Sequence, residues 1–290
     1  MASSHTPSGP AGSTEASAEA SAAASGRGAA DDLVVLERDL GIARIALNRP
    51  DKLNSFSRQM HLALREAINI ARDDAEVRVI VLEGRGRGFC AGQDLSDLSF
   101  EPGRVSDLGE LVESLFNPLI RQIKACPKPI LAKVHGIAAG AGASLAMACD
   151  LTVASKSAAF LQAFVNIGLL PDSGGTWFLQ RLAGSQRAMA LAMLGEKLPA
   201  PVAAQWGLIW QCVEDEELEA FVDRTAARLA ALPSLALKAC KYAILQAASN
   251  TLSEQLDLER DAQQFLGQSE DYLEGVHAFL EKRKAHFTGR

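Results

Sequence analysis

The sequence predicts an α/β fold: a parallel β-sheet with helical crossovers, continued by a helical region. Three observations carry this. Short β-branched apolar runs alternate with stretches of helical periodicity, in the order strand, helix, strand, helix, strand, which favours right-handed crossovers. The later strand candidates are apolar on both faces, as strands of a buried sheet are. From about residue 185 onward the pattern is helical.

Residues 1–30 hold ten Ala, seven Ser, four Gly and two Pro, with no Val, Ile, Leu or aromatic residue. Such a segment buries too little apolar surface to offset its ordering entropy, and it is expected to be a disordered tail. It lacks the apolar stretch of a secretory signal, and Glu15 and Glu19 against Arg27 argue against a mitochondrial presequence. Leu33–Leu36 and Ile42–Leu47 read as strands with Gly41 in the turn between them. Phe56–Asp73 reads as a helix, with Met60, Leu64, Ile68 and Ala71 spaced for one face. Val77–Leu82 is a buried-strand candidate. Residues 105–125 form the clearest helix, on a stripe that runs from Leu108 through Leu111, Val112, Leu115, Phe116 and Leu119 to Ile123. Pro127 and Pro129 end it. Ile130–Val134 is strand-like, a Gly/Ala-rich turn and helix follow, and Leu151–Ala154 is a third short strand. Residues 253–283 read as two more helices, and no internal repeat is visible.

At 290 residues, 48% hydrophobic and 22% charged, the chain is long and apolar enough for one large domain or two small ones, which excludes disorder as its main state. A net charge of −6 disfavours general nucleic-acid binding. The apolar run Ile137–Ala143, even read on through Ser144 to Cys149, falls short of the roughly 20 residues that cross a bilayer. Cys90, Cys126, Cys149, Cys212 and Cys240 sit in apolar contexts without CxxC spacing. They are expected to be buried thiols in a reducing, cytoplasmic setting, with neither disulfides nor a metal site.

Three loops follow predicted strands, and ligand sites of open α/β sheets lie outside the carboxyl ends of strands. Gly84–Asp94 contains G-x-G but not G-x-G-x-x-G, which leaves a dinucleotide site poorly supported. Its glycines let the backbone approach a ligand, or they make a flexible surface turn. His135–Ser144 is built of small residues. They allow backbone N–H groups to meet a bound group at a helix N-terminus, or they serve close helix–sheet packing. Gly142–Ala146 also resembles a degenerate nucleophile elbow around Ser144, without its second glycine; His277 and His286 lie far along the chain. In the third loop, Ile167–Trp177, Asp172 lies between an apolar run and a glycine pair. Burial there would raise its pKa, as suits a general base. Capping of the next helix by Asp172 or Ser173 would lower it. Composition leaves both open.

Residues 32–290 resemble the crotonase, or enoyl-CoA hydratase/isomerase, superfamily. The likeness rests on Asn48-Arg49-Pro50, Asn54, Phe89–Leu95, His135–Gly142, Pro171–Thr176, Trp206-Gly207-Leu208 and Ala278–Arg283. It implies a crotonase-like fold, with a repeated ββα spiral core over residues 31–215 that carries the CoA and active sites. A C-terminal helical trimerisation region would follow over residues 216–290. The implied substrate is an acyl-CoA thioester, with coenzyme A as part of the substrate and no separate cofactor or metal. The implied assembly is a homotrimer or a dimer of trimers, with no nucleic acid and no membrane. Apolar positions such as Leu252, Leu256, Phe265, Tyr272, Val276, Phe279 and Leu280 exceed what one small helical layer buries, which agrees with subunit contacts.

The resemblance also assigns residues. The amide N–H groups of Gln93 and Ala141 would form an oxyanion hole. Ala91, Gly92, Asp94, Leu95, Gly140, Gly142, Phe164, Lys52 and Lys282 would contact substrate or CoA. Family hydratases use two glutamates, and those positions correspond to Ser144 and Phe164 here. Pro171–Trp177 instead resembles branches with one aspartate that shuttles a proton, here Asp172. Asn117-Pro118, Phe160, Ala163-Phe164, Trp210 and Leu256–Asp261 are similar to the branch that isomerises a ring-1,2-epoxide of phenylacetyl-CoA to an oxepin-CoA in phenylacetate catabolism. An isomerase is therefore expected. The alternatives are a Δ3,Δ2-enoyl-CoA isomerase or hydratase of fatty-acid β-oxidation, and a non-catalytic acyl-CoA- or RNA-binding protein on the same fold. Phe160, Phe164 and Trp177 suit a ring in the pocket, and equally a core.

Overall fold

The computed structural model describes residues 32–101 and 105–290; the expected tail lies outside the described residues. Strands β1 (Val34–Asp39) and β2 (Ile42–Leu47) form a hairpin closed by Leu40 and Gly41, both at positive φ, the geometry a two-residue turn requires. The turn makes this edge pair antiparallel. The rest of the sheet is parallel, through β3 (Val79–Gly84), β4 (Ile130–Val134), β6 (Leu151–Ser155) and β9 (Gln211–Val213), in the order β1-β2-β3-β4-β6-β9. A second sheet joins β5 (Ile137–Ala139), β7 (Ala159–Leu161) and β8 (Lys197–Pro199). β8 and β9 interrupt the stretch expected to be helical from residue 185. At three residues each, they carry no period-2 signal.

Between β2 and β3 runs α1 (Arg58–Asp73). Ser57, which accepts from the Met60 amide, sets its start two residues after the expected one. Met60, Leu64, Ile68 and Ala71 are buried on one face, as their spacing requires. The helix expected over 105–125 is interrupted. It comprises α2 (Leu108–Leu111), a π turn (Val112–Phe116) and α3 (Asn117–Ala125). The Asn117 amide reaches back to the Val112 carbonyl, and Pro118, which has no N–H to donate, follows in the first turn of α3. The remaining helices are α4 (Ala141–Ala148), α5 (Gly175–Ala183), α6 (Ser185–Leu194), α7 (Ala200–Gln205), α8 (Leu218–Ala230), α9 (Ser234–Gln246), α10 (Leu252–Leu266) and α11 (Glu270–Glu281).

Both faces of the parallel sheet are covered, by alternating residues of the same strands. Ile80 and Leu82 pack with α1, α3 and α4, whereas Val79 and Val81 pack with Leu218, Val222 and Ala226 of α8. Near the strand ends, Glu83 and Lys133 form a buried ion pair that continues to Arg44 and to Glu219 of α8. Leu33–Arg290 pack as one compact unit. Leu252, Leu256, Phe265, Tyr272, Val276, Phe279 and Leu280 are exposed in the single chain.

The cysteine expectation needs one correction. Cys90, Cys126 and Cys149 are buried, and burial pushes Cys90 and Cys149 up to about 12. Cys212 is only partly buried, and Cys240 is exposed on the outer side of α9. All five are free thiols. Among the described residues no helix is long and apolar enough to cross a membrane, and no cluster of His, Cys, Asp and Glu side chains could hold a metal ion.

Candidate active site

The first two loops are laced together by backbone hydrogen bonds. Cys90 N–H donates to the Ile137 carbonyl, and Ala139 N–H donates to the Cys90 carbonyl. Asn54 braces the assembly from behind. Its side-chain amide donates to the carbonyls of Arg85 (2.9 Å) and Gly88 (2.8 Å), and its Oδ1 accepts from Arg49 N–H (2.8 Å). The contact leaves no room for side chains at two glycines. A Cβ on Gly142 would lie 2.3 Å from the Cys90 carbonyl oxygen. Gly92, at φ +89°, would place one 2.9 Å from the Ala139 oxygen and 3.3 Å from the Ala141 nitrogen.

This packing leaves two donors unused. Gly92 C=O and Asp94 N–H both pair with Phe56, which passes over the residue between them, Gln93. Ala141 is the first residue of α4, where no preceding turn supplies an acceptor. Among the described residues, nothing accepts from the amide N–H of Gln93 or of Ala141. Both residues line a cavity of about 620 Å³, and Asp172 lines it too. The α4 N-terminus adds positive potential on the Ala141 side.

The structure decides between the two readings of Asp172. The N-cap of α5 is Gly174, at φ +76°, with no side-chain capping bond, so neither Asp172 nor Ser173 caps the helix. It is the Asp172 backbone carbonyl that is held, by Gly175 N–H (2.7 Å) and the Ser144 hydroxyl (3.0 Å). The carboxylate accepts from the Ser173 hydroxyl (2.9 Å) and has no salt bridge among the described residues. Burial pushes its pKa up, and the Ser173 bond opposes this only in part. Ser144 is fully buried with its hydroxyl engaged on Asp172, which does not suit a nucleophile.

Of the residues singled out in the sequence, Ala91, Gly92, Gln93, Leu95, Gly140, Ala141, Phe164 and Asp172 meet at this one cavity. Asp94, Gly142, Lys52 and Lys282 do not line it. Asp94 turns into the protein, where it pairs with Arg49 (2.9 Å) and accepts from the Ser96 hydroxyl (2.6 Å). The Ser96 bond first, and Arg49 with it, hold its carboxyl below the usual range. Gly142 is a packing residue against Cys90. Lys52 lies in an exposed turn, and Lys282 ends α11 in the left-handed conformation, exposed. Phe160 belongs to the core, and Trp177 stacks on Arg181 at 3.9 Å outside the cavity. Sequence reasoning missed the wall formed by Leu108 to Asn117. Its apolar stripe reads as core; the signals of a second role are the polar pair Glu113 and Asn117 beside it and the branch resemblance at Asn117-Pro118.

Residues 37–290 match the model of the enoyl-CoA hydratase/isomerase family. The chain belongs to that family. It is 48% identical over 260 residues to the 1,2-epoxyphenylacetyl-CoA isomerase of Escherichia coli K12, covering 89% of this chain and 99% of that protein. It is 49% identical over 250 residues to a protein of Rhodobacter capsulatus named probable enoyl-CoA hydratase, with 86% and 95% covered. Among solved structures, an enoyl-CoA hydratase subunit I of Geobacillus kaustophilus superposes with a TM-score of 0.83 at 37% identity, covering 89% of this chain and 99% of that one. The fold is therefore the crotonase fold, and the protein is a member of the acyl-CoA hydratase/isomerase enzymes that share it.

Proposed function

We propose that this enzyme is an acyl-CoA isomerase with Asp172 as its acid/base. Its substrate is ring-1,2-epoxyphenylacetyl-CoA, which it converts to oxepin-CoA in cytoplasmic phenylacetate catabolism. One observation carries the reading. A single partly buried carboxylate with a raised pKa shares the cavity with two unused amide donors. The family resemblance adds that Ser144 and Phe164 stand where hydratases would carry their glutamates. The 48% identity to the E. coli isomerase supports the choice of substrate.

In the proposed reaction the thioester carbonyl accepts from Gln93 N–H and Ala141 N–H. Asp172 takes a proton from the adjacent carbon, and the charge gathers on the carbonyl oxygen as an enolate. Each such donor contributes about 2.7–4 kcal/mol to a developing oxyanion. In the epoxide, the carbon–carbon bond shared with the three-membered ring breaks, the ring expands around its oxygen, and Asp172 returns the proton to a ring carbon. Atoms balance without a cofactor. A linear 3-enoyl-CoA passes through the same enolate, and proton return at the far carbon moves the double bond. The apolar lining of the cavity favours this second activity as well. Lys52 and Lys282 are proposed to meet the CoA phosphates in the assembled protein, a homotrimer or a dimer of trimers closed over the exposed C-terminal faces.

The test is turnover of the epoxide, generated in situ, beside a linear 3-enoyl-CoA. Conversion of the epoxide at an equal or higher kcat/KM supports the reading. Turnover of the linear substrate alone assigns the enzyme to fatty-acid oxidation, and water addition as the main reaction overturns the isomerase.

A further inference from the structure

We propose that Asn117 determines acyl specificity, its side-chain amide donating a hydrogen bond to an oxygen carried by the acyl group. The inference deepens the isomerase reading and rests on it for the identity of that oxygen. The cavity wall around Asn117 is mostly apolar, built of Leu108, Leu111, Val112 and Phe116, with Glu113 as the one other polar side chain on it. The other polar side chains at the cavity are Gln93, Glu113, Asn166 and Asp172. Gln93 spends Nε2 on the Asp94 carbonyl (3.0 Å), and its Oε1, which can only accept, is buried without a partner among the described residues. Asn166 packs beside Gly195, at the C-terminal end of α6. Asp172 is the proposed base.

Asn117 is held differently. Its Nδ2 donates to Glu113 Oε2 at 2.6 Å, and Arg121 donates to Glu113 Oε1 at 2.9 Å. These two bonds, Arg121's first, hold the Glu113 carboxyl below the usual range, so Glu113 is an ionised acceptor at neutral pH. The chain Arg121–Glu113–Asn117 fixes the amide plane and takes one of its two protons. The second N–H and the carbonyl oxygen have no partner among the described residues. The π turn places this pair. The bond from Asn117 N–H to the Val112 carbonyl adds one residue to the turn, and Pro118 follows at once. Such turns are uncommon and recur at functional sites.

An oriented donor on an apolar wall discriminates strongly. A ligand with an ether or epoxide oxygen satisfies it, whereas a hydrocarbon of the same shape strips its water and returns nothing. The epoxide substrate and the oxepin product both carry such an oxygen; a linear alkenoyl chain does not.

A pair of unreactive ligands tests this independently of turnover. Oxan-2-ylacetyl-CoA and cyclohexylacetyl-CoA differ by one oxygen in place of a methylene group. Calorimetry on the wild-type protein is expected to show roughly tenfold tighter binding of the oxygenated ligand. Asn117→Leu is expected to abolish the preference, mainly through weaker binding of that ligand. Asn117→Asp, which keeps the size but has no amide N–H, is expected to do the same and covers the case in which the leucine variant fails to fold. Equal affinity in the wild type, or a preference that survives both substitutions, overturns the proposal. Failure of the epoxide turnover assay with the ligand preference intact would instead remove the substrate assignment and leave Asn117 in place.

Discussion

Asp94 and Asp172 are the same residue type in two loops of one enzyme, and the fold pushes them in opposite directions. Asp94 is surrounded by donors: Arg49, the Ser96 hydroxyl and the Ser96 amide. Asp172 is partly buried with one weak donor, the Ser173 hydroxyl, on its carboxylate. Charge is stabilised at the first and penalised at the second. A carboxylate bound by a cation locks a loop; one left short of partners at a cavity is disposed to take a proton.

The largest expected difference is between the two amide substitutions. Asp172→Asn should lower kcat for 3-enoyl-CoA isomerisation by about 10²–10⁴ and leave the circular dichroism spectrum unchanged. Asp94→Asn should leave kcat within a few-fold. Because it strands Arg49 at a partly buried site, it should lower stability by about 2–3 kcal/mol, read as a fall in the denaturant midpoint. The reverse pattern would exchange the two roles.

Acidity separates the pair next. Asp172 must be ionised to act and burial raises its pKa, so kcat/KM should fall on acidification with a midpoint above the ordinary Asp value of 3.8. The folded-state pKa of Asp172 is raised. Its contribution to stability is therefore full below the unfolded value and lost as pH rises through the folded one. Asp172→Asn should accordingly be at least as stable as the wild type at neutral pH. For Asp94 the sign is opposite. Its contribution is present above 3.8 and disappears as pH falls through the lowered folded value, so Asp94→Asn should lose its stability deficit in strong acid.

The smallest effect is expected at Ser144, which holds the backbone beside Asp172 rather than the carboxylate. Ser144→Ala should cost about 1 kcal/mol of stability and reduce turnover by a few-fold. Abolished turnover in a folded variant would return a serine nucleophile to consideration.

The glycine and aspartate loops were legible because each follows an apolar strand and carries residues whose only economical use is close backbone approach. Gly92, Gln93, Gly140, Ala141 and Asp172 accordingly meet where expected. The sense of the Asp172 pKa shift was not legible. It depends on which atom of the residue the neighbours hold, and Ser144 and Gly175 hold the carbonyl. That Asp94 turns away from the cavity is not legible, because its partner, Arg49, lies 45 residues earlier in sequence. The strands β8 and β9 escaped notice because three residues show no alternation. The π turn escaped because a one-residue slip barely disturbs an apolar stripe that already runs from Leu108 to Ile123.

The most direct test of Asp172 as the base is exchange of the proton it removes. A saturated acyl-CoA, which cannot isomerise, is incubated in D₂O with the wild type or with Asp172→Asn, and deuterium at the carbon next to the thioester is followed by mass spectrometry. Wild-type enzyme should wash deuterium into that position, and the variant should do so at least a hundredfold more slowly, with affinity for the ligand retained. Exchange at the wild-type rate in the variant would show that another group removes the proton.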